Sequence, residues 1–157
     1  MHLLPVLRKA FLFAALLLAA NGAGAQAKAP YDQKLADSLG GEPNGMKMYV
    51  LVLLKTGPKT EDNKARRDSL FAGHFANMEQ MAAQGKLIVA GPIEKNEHQY
   101  RGIFILNVKT FAEAQALISH DPTIAAGVLA PELYNWYGSA ALPMYLPYVD
   151  KVRKGKP

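Results

Sequence analysis

The order of apolar runs predicts an α+β domain in which a four-stranded sheet carries two helices. Three observations lead there. A β-branched run, Met48 to Leu54, precedes a stretch with helical periodicity; two shorter β runs flank a polar loop; and a second helical stretch leads into an aromatic-rich strand. The chain has 157 residues, half of them apolar and a fifth charged. That is enough for one domain with a core and too little for two.

The N-terminal segment reads as a secretory signal. Arg8 and Lys9 form the positive flank, Ala10 to Ala20 is an apolar run, and Ala23-Gly24-Ala25 supplies the small residues that a signal peptidase needs. Cleavage is expected after Ala25, with Ala27 as the alternative. The run is shorter than the roughly 20 residues of a spanning helix. The expected product is a periplasmic or secreted protein without stable membrane association once the signal (1–25) is removed. Residues 26–47 contain the turn formers Gly40-Gly41-Glu42-Pro43-Asn44-Gly45 and read as a linker, with one or two helical turns between Asp32 and Leu39.

The first strand, Met48 to Leu54, is ended by Gly57-Pro58. Thr60 or Asp62 is placed to cap the helix that follows, which extends to Gln84 and stops at Gly85. Leu70, Phe71, His74, Phe75, Met78, Met81 and Ala82 recur on one face of that helix, so the imidazole of His74 points inward. The second strand is Leu87 to Ala90, running into Gly91-Pro92. After the loop 94–99 comes the third, Gly102 to Val108. Phe111 to Ser119 is the second helix, capped by Thr110, with Phe111, Ala114, Leu117 and Ile118 as its apolar face. Glu132 to Tyr137 is the last strand, so the domain spans 48–138 and an extension occupies 139–157. The order strand, helix, strand, strand, helix, strand is the ferredoxin-like βαββαβ arrangement. Its helices lie on one face of the sheet, which leaves the other face for a partner and points to a homodimer.

Composition excludes several classes of function. The chain has no cysteine, so disulfides, thiol catalysis and thiolate metal sites are absent. Net charge is +5, two units of which belong to Arg8 and Lys9. With no basic run inside the domain, nucleic acid is not an expected partner. Gly85, Gly91 and Gly102 are isolated and form no phosphate-binding loop.

A histidine on an apolar helix face needs a partner, because a buried polar group left unpaired costs roughly 1–3 kcal/mol. The candidate is Asp121, in Ser119-His120-Asp121-Pro122. A carboxylate on one ring nitrogen fixes the tautomer and raises the basicity of the other, which suits general acid–base chemistry. The plainer reading is that Asp121 satisfies His74 or caps the turn at Pro122. Arg67, two turns before His74, is the candidate for an anionic substrate. His98 lies in a polar loop. His74, His120 and Asp121 have no recognised ligand spacing, so no metal is expected. Tyr134, Trp136, Tyr137, Tyr145 and Tyr148 read as core or interface packing, or as the lining of an aromatic pocket.

Over Met48 to Trp136 these residues resemble the YCII-related (YciI-like) family. The matching features are the Met-Tyr-Val start of the first strand, an arginine followed by a histidine in the first helix, Gly85-x-Leu87, Ala90-Gly91-Pro92, a Gly102-led strand, Asp121-Pro122 and Trp136. The resemblance implies a dimeric α+β barrel with His74 and Asp121 at the active centre; no cofactor is expected. Well-understood relatives are dehydrochlorinases of chlorinated hydroxyhydroquinones, which implies cofactor-free lyase or isomerase chemistry on a small organic molecule. A non-catalytic module that binds a small ligand or a protein is the alternative. The export signal and the extension through Tyr148 depart from the family pattern.

Overall fold

A computed structural model describes residues 29–152 and Lys154. The chain divides into two units after Asp32. The expected signal peptide lies outside the described residues, and every described helix and strand belongs to the second unit.

The unit runs α1 (Gln33–Ser38), β1 (Met46–Thr56), α2 (Lys64–Ala83), β2 (Leu87–Pro92), β3 (Tyr100–Leu106), α3 (Phe111–Ile118), α4 (Pro122–Ala125) and β4 (Leu129–Ser139). A 3-10 turn (Leu142–Tyr145) and α5 (Leu146–Val149) complete it. The four strands form one sheet in the order β2-β3-β1-β4, with every neighbouring pair antiparallel. That is the ferredoxin-like topology the element order predicts, with strands β1 and β4 two or more residues longer at each end than their apolar runs. The added ends are held by pairing across the ladder, as between Met46 and Ser139 and between Thr56 and Leu129.

Alternation along β1 sorts the two faces of the sheet. Val50, Val52 and Leu54 are buried beneath the helices with Phe104, Leu106, Met81, Ala114 and Ile118. Leu51 and Leu53, paired with Ile105 and Ile103, are half-buried on the opposite face. At one end of that face Tyr49 is fully buried. Its ring lies 5.5 Å from that of Trp136, and its hydroxyl donates to the Ser139 carbonyl at 2.9 Å. Beyond β4 the chain reaches the opposite edge of the sheet, where the Tyr145 hydroxyl donates to the Ile88 carbonyl of β2.

Helix boundaries differ from expectation for reasons of capping. Neither Thr60 nor Asp62 caps α2; Asn63 does, its side chain accepting from the Arg66 amide at 3.1 Å. The inward face of α2 is also rotated. His74, Asn77 and Met81 are buried, while Phe75 is 54% exposed and Ala82 is exposed. The core accepts the 74-77-81 row and leaves Phe75 at the flank of the stripe. Thr110 and Glu113 form a capping box on α3, as a threonine followed three residues later by glutamate should. Phe111, in the first turn, is exposed and lies outside the core face.

Candidate functional site

Helix α2 brings His74 over β3, where its ring stacks on Phe104 with centroids 5.9 Å apart and planes 25° apart. Phe71 and Phe75 meet the imidazole edge-on at 6.0 and 5.4 Å. These aromatic contacts fix the ring's position without using its nitrogens. Gly73, next in sequence, permits the approach of α4: a Cβ there would lie 2.5 Å from Pro122 Cγ. Helix α2 therefore reaches close enough for His74 Nδ1 to lie 2.5 Å from Asp121 Oδ2.

Asp121 is fully buried and divides its two oxygens between two tasks. Oδ1 caps α4, accepting from the Thr123 amide at 2.9 Å and the Thr123 hydroxyl at 2.6 Å. Oδ2 faces His74. Capping the turn and satisfying the histidine, separate readings in the sequence, are thus both met by one carboxylate. Burial pushes the Asp121 carboxyl up, but the hydrogen bonds from His74 and Thr123 outweigh burial and hold it below the ordinary aspartate range. An ionised carboxylate only accepts, so Nδ1 carries the proton of the His74–Asp121 bond. Nε2 receives no hydrogen bond from the described residues and is the nitrogen available to a ligand.

His74 lines a cleft of about 610 Å³, a volume within the usual range for small-molecule sites. Leu54, Phe71, Phe75, Met78, Phe104 and Leu129 form its apolar walls. The rim is polar and includes Lys59, Glu61, Asp62, Arg67 and Arg101. Arg67 does reach this rim, but its Nη1 donates to the Glu61 carbonyl at 3.0 Å. His120 is exposed and does not meet His74, although it neighbours Asp121. His98 is exposed in its loop, as expected. Among the described residues no group of three His, Asp or Glu side chains is placed to hold a metal ion.

The aromatic wall comes from α2 and β3. Tyr134, Trp136, Tyr137, Tyr145 and Tyr148 do not line the cleft. Four of these are 40–60% exposed. Sequence reasoning also misses Thr123, Gly73 and Arg101. Thr123 is legible in principle as the residue two beyond a capping aspartate; the other two depend on tertiary approach.

No curated protein sequence matches the chain. Among solved structures it is similar to the 5-chloro-2-hydroxyhydroquinone dehydrochlorinase of Burkholderia phenoliruptrix AC1100, determined in complex with 2,5-dihydroxybenzoquinone. Identity is 22%, the TM-score is 0.44, and the match covers 56% of this chain and 92% of that one. The YCII-related domain family matches residues 48–136, more than half of the sequence, and the chain belongs to that family.

Proposed function

We propose that the protein carries out cofactor-free acid–base chemistry, of the lyase or isomerase kind, on a small organic molecule seated in the α2–β3 cleft. The hydrogen bond from His74 to buried Asp121 carries this reading, because it leaves Nε2 as the basic nitrogen at an apolar, ligand-sized space. In the proposed reaction Nε2 takes a proton from an acidic hydroxyl or an enolisable carbon. Asp121 steadies the imidazolium that forms, and the electrons left behind expel a leaving group, or shift a double bond as the imidazolium returns the proton to the far carbon. The three phenylalanines keep water from competing for the same proton.

The test is turnover by the purified protein of chlorinated hydroxyhydroquinones and enolisable acids in D₂O, following chloride release and deuterium incorporation. His74→Asn and Asp121→Asn should each lower the rate at least a hundredfold, the ordinary weight of a general base. Turnover indifferent to both substitutions contradicts the reading. A ligand that seats in the cleft and is never turned over favours the binding-module alternative.

Two further properties belong to the same proposal. The half-buried face bearing Leu51, Leu53, Ile103 and Ile105 supports a homodimer, and light scattering at the monomer mass would contradict it. The signal-like N-terminus supports export, and an intact Met1 on protein from a periplasmic fraction would contradict that.

A further inference from the structure

We propose that Arg101 is the specificity residue of the cleft, and that it selects ligands whose apolar body carries an anionic group, a carboxylate above all. This rests on the proposal that the cleft takes a small organic molecule, and deepens it by naming the charge. Alternation along β3 would send Arg101 to the same face as Ile103 and Ile105. The ladder with β1 slips instead: Leu54 pairs with Gly102 and Lys55 with Tyr100, so Arg101 is the extra residue of a β-bulge. Bulges re-aim side chains, and they gather beside functional sites for that reason. Here Arg101 reaches the rim of the cleft on the helix side, where its Nε donates to Thr56 Oγ1 at 2.7 Å.

The segment leading into the bulge adopts a backbone conformation of appreciable cost. Gln99 has φ of 59°, a left-handed conformation that a non-glycine residue adopts only when its surroundings impose it. Its carbonyl accepts from the Thr56 amide at 3.0 Å and its own amide donates to the Asn96 carbonyl at 3.3 Å, so the residue is held at both ends. Thr56 thus anchors both the strained backbone and the guanidinium. Among the described residues Thr56 takes Nε and none takes the other nitrogens of the planar fork, and bidentate capture of a carboxylate is the geometry that fork suits.

Charge at the rim favours the same ligand. Lys59, Arg67 and Arg101 face the opening with Glu61 and Asp62. Glu61 is engaged by Arg66 at 2.9 Å, which leaves the rim positive. Arg101 has no carboxylate partner among the described residues, in contrast to Arg66. A cation over an apolar slot, with a basic nitrogen at its wall, fits a molecule with an anionic end and a proton to lose from its body.

The experiment is calorimetric titration of the protein with matched acid and ester probes: 4-hydroxybenzoate with its methyl ester, and phenylacetate with its methyl ester. At least one acid should bind roughly tenfold more tightly than its ester, the weight of one charge-assisted hydrogen bond. Arg101→Gln should bring that ratio to about one. Lys55→Gln, which removes a cation from the opposite face of the sheet, should leave it unchanged. Thr56→Val, which keeps the charge and frees the guanidinium, should reduce it in part. Equal binding of acid and ester in the unmodified protein, no acid binding at all, or a preference that survives Arg101→Gln overturns the proposal. If turnover ignores His74 while the acid preference depends on Arg101, the catalytic reading fails and this one stands.

Discussion

Each face of the sheet carries a hydrogen-bonded acid–base pair among the described residues, and the two pairs differ in what surrounds them. On the helix side His74 and Asp121 meet at 2.5 Å, with side chains 9% and 0% exposed. On the other side Lys55 and Glu132 meet at 2.9 Å, 36% and 35% exposed. The distances are alike, but solvent reaches the second pair far more than the first. Lys55 is held above its ordinary value, first by the hydrogen bond to Glu132 and then by its charge, and Glu132 is correspondingly lowered. Such a pair rearranges freely and is screened by salt. Asp121 has no solvent to fall back on, so it depends on His74 and on Thr123. Burial therefore makes the helix side the place where removing one atom is costly and where proton position is fixed.

The largest break of the comparison is Asp121→Ala, which strands His74 and uncaps α4. It should lower unfolding stability by about 3–5 kcal/mol in urea titrations. Because the Asp121 carboxyl is lowered in the folded protein, its contribution is complete above the ordinary aspartate pKa and is lost as pH falls through the folded value. The stability gap between the unmodified protein and Asp121→Asn should therefore close in acid. A gap that stays constant down to strongly acid pH would mean that the carboxylate's charge plays no part.

A smaller break acts through packing. Gly73→Ala drives a methyl group into Pro122 and should cost about 1–3 kcal/mol while separating His74 from Asp121. In a Pro122→Ala background the same substitution should cost markedly less. Additive effects in that double-mutant cycle would disprove the contact as the cause. The smallest effect is Lys55→Met on the other face. It should move the urea midpoint much less than Asp121→Ala, and added salt should erase the difference. A shift that persists in high salt would show that the exposed pair is more than screened charge.

Much of the fold and the site is legible in the sequence because the signals are local. Strand runs such as Val50 to Leu54, the Thr110–Glu113 box and the inward histidine rest on neighbours within a turn or a pleat. Asp121 stands out because aspartate before proline marks a cap, and a buried imidazole needs an acceptor. The rest depends on features without local signals. Helical periodicity locates a stripe but not which flank the core takes, so it places Phe75 inward and leaves out Asn77. Asn63 competes with two equally suitable caps. Arg101 depends on a register slip against β1, and ladder register is set by pairing across the sheet. Arg67 has the right spacing along its own helix, while the bulged strand supplies the cation with free donors.

The most direct test of the His74 base is the ¹⁵N chemical shifts of its ring, measured at a pH where the ring is neutral. A single tautomer is the expected result, with the proton on Nδ1 toward Asp121 and a bare Nε2 facing the cleft. A proton on Nε2, or a mixture of tautomers in rapid exchange, would contradict it, since the nitrogen at the cleft would then not be the base.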